Sequence, residues 1–104
     1  MSIVLTPNLV REALPVGSTE QEVKSYLVEI AGTYQFVTRE TDPVMVPAYP
    51  WQDTDVGYYV AGIEKVRSRW WLPSFGGIMR VRVGISSDGQ VTQVDITGAR
   101  TGFP

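Results

Sequence analysis

Residues 78–97 read IMRVRVGISSDGQVTQVDIT, and this stretch decides the fold. Apolar and polar residues alternate on both sides of Asp88-Gly89, which is the pattern of two half-buried strands. Asp-Gly between such runs is typical of a two-residue hairpin turn, because both turn positions need a positive φ that these residues tolerate. The stretch therefore predicts a β-hairpin that folds at Asp88-Gly89.

The turn also sets the register of this hairpin. With Asp88 and Gly89 as the loop, apolar residues oppose one another on one face, and a charged pair lies on the other. A slip of one residue would mix the two faces, so the predicted register is specific. The predicted pairs are Val81 with Ile96, Val83 with Val94, Ile85 with Thr92, Ser87 with Gln90, and Arg82 with Asp95.

Two helices are predicted before the sheet. The first begins at Pro7, which suits the first helical position, and ends before Pro15. The second follows a capping box, for which both Ser18 with Gln21 and Thr19 with Glu22 fit. It ends at Gly32, a residue type that favours the left-handed conformation of a helix end. Its apolar residues recur at helical spacing and are expected to face the sheet: Val23, Leu27 and Ile30.

The first two strands are expected at residues 33–39 and 58–71, and a change of phase in the second indicates a bulge near residues 62–65. Residues 40–56 carry three prolines and are expected to form a long loop. The fold class is α+β, with two N-terminal helices packed on one face of a four-stranded antiparallel β-meander. One domain covers residues 1–104, with helices at about 7–31, the sheet at about 33–98 and an irregular tail at 99–104.

Composition narrows the classes of function. A chain of 104 residues supports one core, and its 43% apolar content is typical of a globular protein. The net charge of −2 argues against nucleic acid as a partner, because such binders are usually basic. The chain has no cysteine and no histidine, which excludes a cysteine nucleophile and a Ser-His-Asp triad and removes the commonest zinc ligands. We therefore expect no metal, no cofactor and no enzymatic activity.

No apolar run approaches the roughly 20 residues that a membrane-spanning helix needs. The first seven residues lack the basic region of a signal peptide. We therefore expect neither a membrane span nor a leader in this sequence. A chain whose leader and lipid-bearing cysteine had been removed would look the same, so a lost lipid anchor stays open.

Four arginines are candidate binding residues. Arg67 and Arg69 share one face of a predicted strand, and Arg80 and Arg82 share the outer face of the hairpin. On neighbouring strands the four would form a basic patch able to bind a carboxylate or a phosphate. The alternative is a solvated sheet face on which Arg82 forms an ordinary cross-strand pair with Asp95.

Aromatic residues are the second group of candidates. The adjacent residues Trp70 and Trp71 must point to opposite faces of a strand, so one of them is expected outside the core. Exposed tryptophan beside arginine is typical of protein interfaces. The alternative is that the loop of residues 40–56, which carries Trp51 and Tyr49, covers this aromatic surface as a small second core.

The same loop carries acidic residues, among them Asp42, Asp53 and Asp55. Their spacing lacks the remaining ligands and the glycine of a calcium-binding loop. Solvated loop carboxylates are therefore expected. An enzyme that uses two of these carboxylates alone is a further alternative, although no spacing supports it.

Two motifs resemble those of a known group. The segment Leu14 to Val23 with Leu27 resembles the "L-x-x-G-x-[ST]-x-x-x-V-x-x-x-L" opening helix of small bacterial envelope lipoproteins, including the SmpA/OmlA (BamE-like) component of the outer-membrane β-barrel assembly machinery. The same architecture occurs in β-lactamase-inhibitor-protein-like domains. The run from Val81 to Val91 resembles their terminal hairpin. The resemblance implies non-enzymatic protein binding in the periplasm or at the outer membrane, and the sequence does not exclude the cytoplasm.

We therefore predict a non-catalytic protein-binding or adaptor module of the cell envelope, with oligomeric state left open. Its contact surface is expected on the open sheet face and the long loop. The alternative is an inhibitor or immunity protein that blocks an enzyme with the proline-rich loop of residues 40–56. The predicted binding residues are Trp51, Arg67, Arg69, Trp70, Arg80 and Arg82.

Overall fold

A computed structural model describes residues 7–44, 47–64 and 77–100. Within these ranges the strands form one antiparallel sheet in the order β1-β2-β3-β4, preceded in the chain by two helices. The predicted α+β class and the four-stranded meander are confirmed. The elements are α1 Pro7–Ala13, α2 Glu20–Ala31, β1 Gln35–Thr38, β2 Asp55–Glu64, β3 Gly77–Ser86 and β4 Val91–Arg100.

Helix α2 begins and ends where the sequence predicts. The Thr19 hydroxyl accepts a hydrogen bond from the Glu22 backbone at 3.2 Å, and the Glu22 carboxylate accepts one from the Thr19 backbone at 3.0 Å. Gly32 ends the helix with a φ of 81°. Ahead of the helix, the Gly17 backbone donates to the Val91 carbonyl at 2.9 Å. The N-terminus of α2 is therefore attached to the first residues of β4.

The inner face of the sheet carries the main core. Side chains of both helices are buried against alternate residues of β2, β3 and β4, as the period-two pattern requires. The helices therefore pack on one face of the sheet, as predicted. The buried residues are Val10, Leu14, Val23, Leu27, Tyr59, Ala61, Ile63, Met79, Val81, Val83, Ile85 and Val91.

The hairpin register is confirmed over most of its length and wrong at the turn. Ile85 pairs with Val91 and not with Thr92, and the Ser86 backbone donates to the Gln90 carbonyl at 2.9 Å. The loop therefore has three residues, and among them only Gly89 has a positive φ, at 76°. Asp-Gly is compatible with this longer loop, because its glycine alone supplies the left-handed residue.

The shifted register produces a β-bulge in β4. Gly84 pairs with Gln93 while Ile85 pairs with Val91, so Thr92 is the extra residue. As a result, Thr92 and Gln93 both bind residues of the outer face. A second irregularity lies at the start of β2, between Asp55 and Gly57.

The bulge predicted near residues 62–65 is not seen in the part of β2 that the structure describes. Pairing with β3 is regular from Gly57 to Glu64. The sheet also begins and ends differently from the prediction. Strand β1 begins at Gln35, and β4 continues to Arg100, into the segment predicted as an irregular tail. Within the described ranges, no helix is long and apolar enough to cross a membrane.

The outer face of the sheet is not open, which corrects the sequence-based expectation. The loop between β1 and β2 lies across it and forms a second, smaller core. A small second core under this loop was one of the two sequence-based alternatives, and the aromatic residues of the loop do pack against outward-facing residues of β1 and β2. Buried in this second core are Val37, Tyr49 and Tyr58, with Trp51 and Val60 partly buried against them.

Candidate functional site

An aromatic stack fixes the loop to the outer face. The rings of Tyr49 and Tyr58 are stacked with centroids 4.2 Å apart, and the ring of Trp51 lies 5.0 Å from that of Tyr49. Gly84 of β3 makes room for this stack, because a Cβ at this position would overlap the Tyr49 hydroxyl. Aromatic contacts of this kind add to the energy of burial, so the stack stabilises the covered face.

Asp55 holds the C-terminal end of the loop. Its buried carboxylate accepts hydrogen bonds from the Tyr49 hydroxyl at 3.1 Å, from the Gln52 backbone at 3.0 Å, from the Gln93 amide at 3.1 Å and from the Thr92 hydroxyl. Two of these donors are in reach because of the bulge in β4. The expectation of a solvated carboxylate is therefore wrong for Asp55.

Asp42 holds the N-terminal end of the loop in a similar way. It accepts hydrogen bonds from the Val44 backbone at 3.0 Å, from the Trp51 indole at 2.8 Å and from the Tyr58 hydroxyl at 3.1 Å. Desolvation opposes ionisation of Asp42, but these hydrogen bonds and the charge of Arg82 outweigh it and lower the pKa of the carboxyl. Asp42 thus acts as an ionised anchor for the loop.

The burial of Arg82 is the largest correction to the binding site predicted from the sequence. This arginine was expected on a solvated face, but only 2% of it is exposed. Its Nε donates to the Asp95 carboxylate at 2.8 Å, and its Nη1 donates to the Pro47 carbonyl at 2.9 Å. The guanidinium also lies 5.6 Å from the centre of the Tyr49 ring. Arg82 is therefore an internal support for the loop, with its charge matched by Asp95.

Trp51 is also committed to internal contacts. Its indole binds Asp42, and the guanidinium of Arg39 lies 4.6 Å from the centre of its ring. For this tryptophan, the alternative of a small second core is the one that the structure supports. The other predicted residues Arg67, Arg69 and Trp70 lie outside the described residues.

Arg80 differs from Arg82 in its surroundings. It is half-buried on the outer face and pairs in register with Gly62 on one side and Thr97 on the other. To the described residues it makes no hydrogen bond and no ion pair. It lines a groove of about 440 Å³ between the loop and the sheet. This surface, the Arg80 groove, comprises Gln35, Phe36, Val37, Thr41, Pro43, Tyr58, Val60, Arg80 and Arg82.

The chemistry of the Arg80 groove is basic and apolar. Its described lining contains no Asp or Glu, so it lacks the pair of carboxylates that the carboxylate-enzyme alternative needs. Among the described residues there is also no group of three or more acidic side chains that could hold a metal ion. The groove can therefore bind an anionic group that has apolar neighbours.

Sequence reasoning found Arg80 but missed most of the groove. The hairpin register does place Arg82 on the same face as Arg80, and that signal was used. The contribution of Thr41 and Pro43 depends on how the loop lies on the sheet, and no local pattern in the sequence reports this. Comparison of the chain with family models, with curated proteins and with solved structures finds no match. The resemblance to envelope lipoproteins accordingly stays a prediction based on two motifs.

The burial of Arg82 predicts a large effect of removing its partner. Asp95→Ala leaves a buried guanidinium without its counter-charge, and we expect it to lower the free energy of unfolding by about 3 kcal/mol. The matched control is Asp53→Ala, which removes an exposed carboxylate of the loop and is expected to change stability by less than about 0.5 kcal/mol. Urea denaturation of both variants measures the difference. Equal effects would contradict the buried charge pair.

Tyr58 gives a prediction in alkaline solution. Burial, the hydrogen bond to Asp42 and the charge of Asp42 raise its pKa to about 12, above the ordinary value of 10.0. Because the raised pKa favours the neutral form in the folded state, Tyr58 contributes stability below pH 10 that is lost between pH 10 and pH 12.

The matched variant is Tyr58→Phe, which removes the hydroxyl and is expected to cost about 1 kcal/mol at pH 7 through the lost hydrogen bond. The difference in unfolding free energy between the natural chain and this variant should be constant from pH 7 to pH 9 and shrink above pH 10. Urea denaturation at each pH measures it. A difference that stays constant up to pH 12 would show that the hydroxyl is not held in its neutral form.

Proposed function

We propose that this chain is a non-catalytic protein-binding module and that the Arg80 groove is its contact surface. The observation that carries this proposal is the half-buried Arg80, which lies beside an apolar wall and has no hydrogen bond or ion pair to the described residues. Holding a guanidinium partly out of water without a partner has a cost in free energy. A bound partner that supplies an anionic group removes this cost, so the groove favours a complex.

The composition of the groove supports a protein as the partner. Arginine and tyrosine are enriched among the residues that dominate protein interfaces, and such residues sit in pockets with apolar walls. Arg80 and Tyr58 lie in such a pocket, beside Val60 and Pro43. The chain's net charge of −2 does not favour nucleic acid in this role.

The roles of the other sequence-predicted residues change with this proposal. Arg82 and Trp51 hold the loop in place through Asp95, Pro47 and Asp42, so they support the groove and are not its main contacts. The proposal retains three predicted binding residues as additional contacts: Arg67, Arg69 and Trp70.

One observation favours the alternative of an inhibitor. Val44 at the tip of the loop is 69% exposed and has a φ of 54°, a conformation that β-branched residues rarely adopt. Its backbone N–H is bound to Asp42, which holds the tip in this conformation. Tyr49 and Trp51 attach the loop to the sheet, so an inhibitor of this design would use the exposed residues around Val44.

The proposed location is the bacterial cell envelope, and it rests on the resemblance of the two motifs. The native open reading frame provides its test. An open reading frame that encodes a leader followed by a lipid-modified cysteine would support this location. An open reading frame that starts at Met1 and encodes no leader would contradict it.

The contact surface can be tested with a photoreactive amino acid placed at single positions. Gln35 is exposed at the groove, Val44 is the loop tip, and Val16 is 75% exposed in the segment that precedes α2. We expect a crosslinked protein from the native organism at Gln35 but not at Val16, and we expect Arg80→Ala to abolish it. The captured protein, once purified, should bind Arg80→Ala at least tenfold more weakly than the natural chain.

Each other outcome has a defined meaning. Crosslinking at Val44 that does not depend on Arg80 would support the inhibitor alternative and contradict the proposal that the Arg80 groove is the contact surface. Equal crosslinking at Gln35 and Val16 would show non-specific contact and contradict the proposal. Because Arg80 makes no hydrogen bond to the described residues, the Arg80→Ala variant is expected to stay folded, and its thermal unfolding serves as the control.

A further inference from the structure

We propose that the Arg80 groove recognises an acidic side chain within an extended segment of the partner, and that Arg80 binds its carboxylate. This inference rests on the proposed function and names the chemistry of the partner. The acidic residue is Asp or Glu, and its neighbours in the segment are apolar.

Thr97 is the neighbour of Arg80 on β4, and it is not among the described residues that line the groove. Its hydroxyl oxygen is buried and has no hydrogen-bond partner, the one such side-chain atom within the described residues. Because this oxygen is closed to a ligand, the carboxylate is assigned to Arg80 alone. Thr97 pairs in register with Arg80, and both side chains share the outer face with the pair of Arg82 and Asp95.

The space beside Arg80 suits a small planar anion. Gly62 pairs with Arg80 on the β2 side and has no side chain, so this neighbour places no side chain beside Arg80. A carboxylate can accept two parallel hydrogen bonds from one guanidinium.

The charge balance favours a single carboxylate over a phosphate group. Arg82 also lines the groove, but its charge is matched by Asp95 at 2.5 Å. One unmatched positive charge therefore remains among the described groove residues, that of Arg80. A carboxylate carries one negative charge, whereas a phosphorylated side chain carries close to two at neutral pH and would leave excess charge in a partly buried site.

The backbone around Arg80 favours a side-chain carboxylate over the C-terminus of a partner chain. Terminal carboxylates are typically bound by clusters of free backbone N–H groups. Arg80 lies in the middle of the sheet and pairs with Gly62 and Thr97 on its two sides, so its backbone belongs to the strand ladders. The groove therefore offers side-chain donors, which suit Asp or Glu.

The rest of the lining defines the neighbours of the acidic residue. The side chains of Val37, Pro43, Tyr58 and Val60 form the wall next to Arg80. Contact with this wall removes apolar surface from water, and so apolar side chains beside the acidic residue strengthen binding. The partner segment is accordingly acidic at one position and apolar on either side of it.

The test uses three capped peptides and the complete chain labelled with ¹⁵N. The probes are acetyl-Leu-Glu-Leu-amide, acetyl-Leu-Gln-Leu-amide, and acetyl-Leu-Gln-Leu with a free terminal carboxylate. Titrations are followed by the backbone resonances and by the side-chain Nε–H resonance of Arg80. We expect the Glu peptide to shift the Arg80 resonance and to bind at least tenfold more tightly than the Gln amide.

Substitutions at Arg80 and at its neighbour Thr97 sharpen the test. Arg80→Gln should abolish the difference between the Glu and Gln peptides, and Arg80→Lys should reduce it, because an ammonium lacks the planar fork. Thr97→Val changes a residue outside the described groove lining and should leave the affinity for the Glu peptide unchanged. Arg11→Gln, which removes an exposed arginine of α1, should leave the affinity unchanged and serves as the matched control.

Several results would overturn the inference. Equal affinity for the Glu and Gln amides would show that no carboxylate is recognised, and tightest binding of the free-terminus peptide would assign the groove to a chain end. Stronger displacement of the Glu peptide by inorganic phosphate than by acetate would indicate a phosphate site. Backbone spectra confirm that each variant is folded.

The two proposals can fail separately. Crosslinking at Gln35 that depends on Arg80, together with equal affinities for the Glu and Gln amides, would contradict carboxylate recognition but still support the groove as a protein-binding surface. Selective binding of the Glu peptide without any crosslinked partner would support the carboxylate subsite and contradict the proposed protein-binding function.

Discussion

The outer half of this structure depends on the buried guanidinium of Arg82. A charge can be buried at acceptable cost only when it is paired and its hydrogen bonds are satisfied. Asp95 supplies the opposite charge from the neighbouring strand, and the Pro47 carbonyl and the Tyr49 ring supply the remaining contacts from the loop. Loop and sheet must therefore come together around this residue, and the loop behaves as a third layer of the fold.

This third layer explains where a binding surface is available. The helices cover the inner face of the sheet, and the loop covers the outer face around Arg82 and Tyr58. Arg80 lies two residues before Arg82 in β3, and here a groove separates the loop from the sheet. Two arginines that are equivalent in the sequence pattern thus have different surroundings. Arg82 is bound to the loop, whereas Arg80 lies beside an apolar wall and makes no hydrogen bond or ion pair to the described residues.

Local features of the fold were predictable because their causes are local. The capping box of Thr19 and Glu22 and the cap at Gly32 act within one turn of helix α2. The hairpin register follows from side-chain alternation as far as Gly84. The turn was predicted wrongly because Asp-Gly suits loops of two and of three residues. Hydrogen bonds from Thr92 and Gln93 to Asp55, which is 37 residues away from Thr92 in the chain, accompany the longer loop.

The sequence by itself determined that Arg80 and Thr97, like Arg82 and Asp95, lie opposite one another on one face of the hairpin, because side chains alternate along a strand. Only the tertiary structure decided which arginine is buried. That choice depends on Pro47 and Tyr49, which are more than 30 residues from Arg82 and which no local pattern connects to it. Burial is a property of the whole packing arrangement, and so the difference between Arg82 and Arg80 became visible only once the loop had been placed on the sheet.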